Sequence, residues 1–435
     1  MSKKLFFIIL DGAGGTPSKE LGGKTSIEYA ETPNLDFLAG KGKTGMIDVM
    51  GSTAPETDNG MLSLFGYDPA KYYTGRGPLE ALGAGINFDE GNLAVRCNFG
   101  TIRDEKVIDT GAGRIDARSA RKLIAAVNRK VRLERGNFRL HYTLNYRSVL
   151  ILRSNRSLSD QVSNNHPAYR RERNYVERPI TKTSEMVFDK VRPLDSSEGA
   201  KYSSDLLNEF LEKSGDVLSG HHLNWRRIKK GLHPGNMLLI RGTGNRLPKL
   251  EGFNKEQFRW LCIGDTPCER GIAKLLYMDV VDIKDPLCDK LPAVKGIEKI
   301  EENVSRDMRD KAKWVSRNLE DYDCFYIHIK GPDPFGHQNS PREKAKVIEA
   351  IDKAFMGKLM EMADLDNSLI CVTSDHCTSC EKRAHTSDPV PLLISGSWVQ
   401  KDGTKKFGES SCRKGALRTI KGMKLMSILM EEFRR

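Results

Sequence analysis

Three apolar runs in this chain each lead directly into carboxylate or imidazole side chains, and that pairing limits the fold more than any other feature. Leu5-Phe-Phe-Ile-Ile-Leu10 stops at Asp11-Gly12, and Cys324-Phe-Tyr-Ile-His-Ile-Lys330 leads into Asp333-Pro-Phe-Gly-His337. Ser368–Thr373, with its Leu-Ile-Cys-Val centre, leads into Asp375-His376. Uninterrupted apolar strands are buried on both faces, the condition of a parallel sheet covered by helices. In open α/β sheets ligands gather at the C-terminal ends of strands, where these side chains fall. The series continues with Ala384-His385 ahead of Pro389, so three of the nine histidines lie within residues 333–389. One Asp-His pair in a loop is ordinarily a satisfied polar pair. The whole series, dense in carboxylate and imidazole, predicts a metal site, and two metals rather than one.

The N-terminal run is too short to span a bilayer and lacks a signal-peptide cleavage pattern. Further on, Pro55-Glu-Thr57-Asp58 lies in a turn-rich stretch ahead of Met61-Leu-Ser-Leu-Phe65, offering the Thr57 hydroxyl where a helix could begin. Helix N-termini favour phosphate. Metal ions lower a hydroxyl's pKa and clamp attacking and leaving oxygens in line, so phosphoryl transfer suits these residue types.

A chain of 435 residues has room for two or three domains with their own cores, and no apolar stretch approaches transmembrane length. A cytoplasmic protein is expected by default. Nine scattered cysteines suit reduced thiols rather than a disulfide framework. Cys377-Thr-Ser-Cys380 has redox or zinc spacing, yet it abuts Asp375-His376 and no second pair of zinc-type spacing accompanies it. The net charge of +12, from 70 basic and 58 acidic residues, is concentrated between about residues 114 and 182. No helix-turn-helix, zinc finger or aromatic-basic RNA motif goes with that charge, so a small polyanionic metabolite is the expected partner and nucleic acid is not.

Strand-like runs at Leu5–Leu10, Ser148–Leu152, Met237–Ile240, Trp260–Ile263, Cys324–Ile329 and Leu369–Thr373 alternate with helical patterns at Asp205–Lys213, Asn303–Leu319 and Glu343–Met362. That is an α/β organisation. The ligands lie at both ends of the chain while the basic middle carries none, so the middle reads as an insertion.

Several stretches resemble the archaeal type of cofactor-independent, or 2,3-bisphosphoglycerate-independent, phosphoglycerate mutase of the alkaline phosphatase superfamily. They include Leu10-Asp-Gly12, Thr32-Pro-Asn-Leu35, Leu62-Ser-Leu-Phe-Gly-Tyr-Asp-Pro69 and Tyr72-Tyr-Thr-Gly-Arg-Gly-Pro78. Glu80-Ala-Leu-Gly-Ala-Gly-Ile86, Arg96-Cys-Asn-Phe99, Ala112-Gly-Arg-Ile115, Arg241-Gly-Thr-Gly244, His328-Ile-Lys-Gly331 and Thr373 through Leu392 follow in family order. The resemblance implies an alkaline-phosphatase-like three-layer core with a mostly parallel sheet, over residues 1–87 and 256–435. A smaller inserted α/β substrate-binding domain would occupy 88–255. The implied cofactors are two divalent metal ions, manganese or zinc by ligand type with magnesium less favoured, and no organic group. One metal would be held by Asp333, His337 and His385, the other by Asp11, Asp375 and His376, with the Thr57 oxygen reaching toward the second. Lys330 would neutralise phosphoryl oxygens. Arg76 and Arg114, and behind them Arg147 and Arg241, would take the substrate's anionic groups.

The implied activity interconverts 3-phosphoglycerate and 2-phosphoglycerate through a phosphothreonine, and two departures bear on it. Where the family usually has Pro-Gly-Ser-Asp-Thr-Ala-His-Leu, this chain has Pro55-Glu-Thr-Asp-Asn-Gly-Met-Leu62, so Thr57 replaces the nucleophilic serine and its methyl stiffens χ1. Should the register of that resemblance slip, Ser52 or Thr53 is the fallback nucleophile. Where the family commonly has Asp-Arg-Arg-Ala-Gly-Arg, this chain has Asp109-Thr-Gly-Ala-Gly-Arg114, losing two arginines suited to bidentate anion contacts. Ser159 through Pro167 also departs from an Asp-containing turn of the family that shuttles protons. Arg170, Arg171 and Arg173 are candidates to compensate. Hydrolysis, as in a phosphatase, phosphodiesterase or phosphonate hydrolase, or transfer to another acceptor as in a homoserine-kinase-like branch, are the alternatives these changes leave open.

Overall fold

Lys4–Leu10 forms a strand whose seven residues are all buried, as a run apolar on both faces requires. In the computed structural model, which describes residues 3–171, 177–179, 186–253, 258–283, 286–287, 291 and 294–435, this strand lies inside an eight-stranded sheet. The order is Asp279–Val280, Trp260–Gly264, Cys324–Ile329, Lys4–Leu10, Ser368–Thr373, Val390–Ser395, Lys43–Asp48, Thr419–Lys421. The first five strands run parallel, and Val390–Ser395 is antiparallel to both neighbours. Alternate side chains serve opposite faces. Phe6, Ile8, Phe325, Ile327 and Val372 share a core with helices Pro33–Lys41, Ile297–Asn318 and Pro341–Ile351. On the other face Phe7 and Tyr326 both meet Phe65 edge to face, at 5.5 and 5.1 Å, beneath helix Thr57–Leu64. Each such ring contributes about 1.5–3 kcal/mol by burial.

The helix expected over 343–362 is not uniform. It runs as Pro341–Ile351, a π-helical turn Asp352–Met356, and Gly357–Met362. At the turn the Asp352 carboxylate accepts from the backbone N–H groups of Asn34 and Leu35 at 3.1 and 2.8 Å, satisfying otherwise orphaned donors at the start of helix Pro33–Lys41.

These elements belong to one compact unit, comprising Met1–Lys71, Leu250–Asp265 and Ile272–Arg435; Tyr72–Lys249 with Thr266–Gly271 forms a second. The second has an antiparallel sheet, ordered Lys106–Asp109, Leu93–Arg103, Arg147–Arg153, Asn137–Leu144, with Met237–Gly244 also paired to Leu93–Arg103. Helices Ala117–Lys130 and Glu198–Ser219 cover the face bearing Val95, Cys97, Leu150 and Leu152. Helix Arg76–Gly83 covers the other, with Ala81 against Ala94, Val149 and Ile151. Residues 72–87, expected with the first domain, fall within this second unit. Among the described residues no helix is long and apolar enough to cross a membrane.

Candidate metal centre

Three neighbouring parallel strands position the ligands. Leu10 lies opposite Ile329, and Ile9 opposite Thr373, so Asp11, Lys330 and Ser374-Asp375-His376 leave the sheet along one edge. The short helix Pro332–His337 then presents Asp333 and His337 one turn apart on one face. A ribbon of Cys377–Ser379 and Ala384–Thr386 sets His385 opposite Thr378. Glycine is required at position 12, where φ is +58° and an added Cβ would stand 2.6 Å from Thr378 Oγ1 and 2.7 Å from Asp333 Cβ. Behind these loops Lys344, fully buried, donates from Nζ to the carbonyls of Gly14 and Thr378 at 2.9 and 2.8 Å.

The side chains gather in two groups. In the first, His385 Nε2 lies 3.2 Å from both Asp333 Oδ1 and His337 Nε2, and His337 Nε2 lies 3.4 Å from Asp333 Oδ1. In the second, His376 Nε2 lies 3.5 Å from Asp11 Oδ1 and 3.3 Å from Asp375 Oδ2. His328 Nε2 faces the same two carboxylates at 3.6 and 3.8 Å. Thr378 links the groups, its Oγ1 lying 2.7 Å from Asp333 Oδ1 and 3.0 Å from His376 Nδ1.

The donor set fits divalent cations. Oxygen acceptors hold the Nδ1 atoms of His337, His376 and His385, namely the Arg383 carbonyl at 3.0 Å, Thr378 Oγ1 and the Pro55 carbonyl at 2.8 Å. Protonation at Nδ1 leaves each Nε2 lone pair for a metal. Asp375 Oδ2 and His328 Nε2 are buried without a hydrogen-bond partner, a condition a cation between them relieves. The charges point the same way. Burial and the adjacent Asp11 push Asp375 up to about 7. Asp11 is held well below the usual range because Lys330 and the neighbouring histidines outweigh its burial. Asp333 is likewise low, as His337 and His385 overcome burial. His385 rises well above its ordinary value despite burial, through Glu56 and Asp333. Burial and His385 lower His376.

Thr57 is the first residue of its helix, with Oγ1 3.5 Å from both Asp11 Oδ1 and Lys330 Nζ. Lys330 Nζ is 3.1 Å from Asp11 Oδ1. Ser52 is exposed and Thr53 half-buried. Cys377 and Cys380 are buried free thiols, and burial raises both.

The arginines form a separate cluster in the second unit. Glu80 Oε1 accepts from Arg76 Nε at 2.8 Å and Arg96 Nη1 at 2.6 Å. Although burial opposes it, Arg96 and Arg76 draw Glu80 down to about 2. Arg96 itself falls to about 10, because burial together with Arg76, Arg241 and Arg147 outweighs Glu80. Arg76, Arg147 and Arg241 thus bring positive charge to bear on Arg96. Arg241 stacks over the Tyr169 ring at 3.8 Å. Arg171, also buried, donates to the Thr243 carbonyl at 2.6 Å, and Arg170 is exposed. Arg173 lies outside the described residues. Arg114 is exposed on a turn at φ +53°, while its neighbours Ala112 and Ile115 pack in the core beneath the sheet's other face. Arg96, His328, Thr378 and Glu56 were not anticipated. The histidine inside the otherwise apolar Cys324–Ile329 run was the one available signal among them.

Residues 39–224 match the family model described as 2,3-bisphosphoglycerate-independent phosphoglycerate mutase. A protein of that name from Thermococcus kodakarensis is 36% identical over 432 residues, covering 99% of this chain and 97% of the relative. The chain belongs to the 2,3-bisphosphoglycerate-independent phosphoglycerate mutase family. Another member of this mutase family, from Picrophilus torridus, is 36% identical over 98% of the chain. Among solved structures, a Pyrococcus horikoshii protein aligns over 100% of this chain and 98% of its own with a TM-score of 0.76 and 30% identity. The cofactor-independent phosphoglycerate mutase of Thermoplasma acidophilum aligns over 99% and 100%, with a TM-score of 0.59 and 30% identity.

Proposed function

We propose that this chain is a metal-dependent phosphoglycerate mutase, interconverting 3-phosphoglycerate and 2-phosphoglycerate through a phosphothreonine at Thr57. The observation that carries the reading is the Thr57 hydroxyl at a helix N-terminus, within 3.5 Å of Lys330 and Asp11, in a chain that aligns over 99% of its length with enzymes of that name. Asp333, His337 and His385 would hold one cation, and Asp11, Asp375 and His376, with Thr57 alongside, the other. The mixed oxygen and nitrogen donors suit manganese or zinc better than magnesium. When bound, the two ions supply Lewis-acid charge that lowers the Thr57 hydroxyl's pKa and offsets phosphoryl charge.

Thr57 Oγ1 attacks phosphorus, its proton passing to the 3-oxygen of glycerate as the bond from phosphorus to that oxygen breaks. Lys330 holds Thr57 Oγ1 in place and meets charge on the phosphoryl group. The retained glycerate then attacks the phosphothreonine through its 2-hydroxyl, the bond from phosphorus to Oγ1 breaks, and Thr57 is restored. Retention calls for cationic groups on the carboxylate, a role for Arg76, Arg147 and Arg241, joined by Arg96; Arg114, being exposed, is the weaker candidate. The alternative, in which water resolves the phosphothreonine and the protein is a phosphatase, rests on the loss of the two family arginines at Thr110 and Gly111, and the relatives' names do not favour it.

Phosphorus NMR of the purified protein with manganese and 3-phosphoglycerate separates these readings. The mutase produces 2-phosphoglycerate, and Thr57→Ala abolishes it while elemental analysis still finds two metal ions. Free phosphate would replace the mutase by the phosphatase, and turnover by Thr57→Ala would remove Thr57 as nucleophile.

A further inference from the structure

Glu56 is a carboxylate that the phosphoryl chemistry leaves unused, although it directly precedes Thr57 and is only 4% exposed. The family pattern has glycine here. Glu56 is the N-cap of helix Thr57–Leu64, in a capping box with Asn59, whose Oδ1 accepts from the Glu56 N–H at 2.8 Å. That bond holds the Glu56 backbone at the start of the helix, whose positive end favours a negative charge there. From there Glu56 Oε1 lies 3.3 Å from His385 Nδ1. On the opposite side of the same ring, Nε2 faces Asp333 and His337 at 3.2 Å. Glu56 therefore stands behind the imidazole, away from the side that would meet a metal.

Among the three histidines of the two proposed ligand sets, His385 is the one whose Nδ1 faces a carboxylate. His337 is backed by the Arg383 carbonyl and His376 by the Thr378 hydroxyl. His385 also has the Pro55 carbonyl at 2.8 Å. A neutral carbonyl suffices to fix the tautomer; a carboxylate adds negative charge that makes Nε2 a stronger donor. The first group is the more open of the two, since the His337 side chain is 42% exposed whereas those of Asp375 and His376 are 0% and 1%. Donor strength therefore matters most at His385.

We infer that Glu56 is a positioning residue for the first metal. Through His385 it orients and strengthens one ligand, so that the cation held by Asp333, His337 and His385 binds more tightly than the Pro55 carbonyl alone would allow. The inference rests on the metal reading given above.

The test uses the full chain with Asp375→Asn, which disables the second group, so that one Mn(II) reports on the first; free Mn(II) is followed by EPR during titration. Glu56→Gln keeps the shape and removes the charge. Glu56→Ser keeps a good N-cap but cannot reach His385. Both should weaken Mn(II) binding by about 10–100-fold, and neither should change Mn(II) affinity of the second group, read in an Asp333→Asn background. Equal Kd values with glutamate and glutamine at position 56 would overturn the inference and leave the metal site standing. Absence of Mn(II) binding in the Asp375→Asn protein would overturn the metal reading itself, and the inference with it.

Discussion

Asp375 and Asp11 share a buried space, and the two carboxylates respond in opposite directions. Lys330 and the neighbouring histidines overcome burial at Asp11, whereas burial and Asp11 push Asp375 up to about 7. An acid whose pKa is raised from 3.8 on folding favours the folded state most below pH 3.8. It costs stability progressively as pH rises, until the loss is complete above about 7. Metal-free Asp375→Asn should thus be more stable than metal-free wild type at pH 8, by on the order of a few kcal/mol, and melt at a higher temperature, with the gap closing toward pH 4. Thermal melts in EDTA measure this, and a lower melting temperature at pH 8 would contradict it. At this scale the sequence offered Asp11, Asp333, His337, Asp375 and His376 as candidates because they come after apolar runs, and His385 because it continues that series. It hid Thr378, an ordinary hydroxyl until the ribbon places it between two ligands, and Arg96, whose strand alternates polar and apolar positions without a marked apolar run.

The helix carrying Thr57 rests on the metal loop with almost no clearance. A Cβ added at Gly60 would come within 2.7 Å of the Asp375 carbonyl oxygen and 3.3 Å of Pro55 Cβ. Gly60→Ala must therefore lift helix Thr57–Leu64 away from the loop. Overpacking of this kind costs about 1–3 kcal/mol, and misplacing the nucleophile by ~1 Å costs about 100-fold in rate. Turnover should fall far more than metal content, and a variant with wild-type kcat would show that the helix tolerates displacement. Long apolar runs made the parallel strands legible. Leu93–Arg103, the longest strand of the second unit, was not legible, since Arg96 and Asn98 turn to the face under helix Arg76–Gly83 while Val95 and Cys97 turn to the other. The π-helical turn at Asp352 answers to the start of a helix more than 300 residues earlier in sequence, a partnership no local pattern reveals.

Across the whole molecule, the candidate metal ligands lie within one compact unit and the arginine cluster within the other. Ligands that bind only the native state stabilise it by mass action. EDTA should lower the calorimetric transition of the first unit, and inorganic phosphate should raise that of the second. A single transition moved equally by both additions would contradict this assignment. The sheet order also sets a timetable for biosynthesis. Gly12 and Asp375, joined by a hydrogen bond, are 363 residues apart, an interval of about 20–70 s at ~5–20 residues per second. For most of that time, until Cys324–Ile329 is made, strand Lys4–Leu10 has neither of its parallel neighbours, leaving a sticky apolar segment for chaperones to shield until the final quarter of the chain emerges.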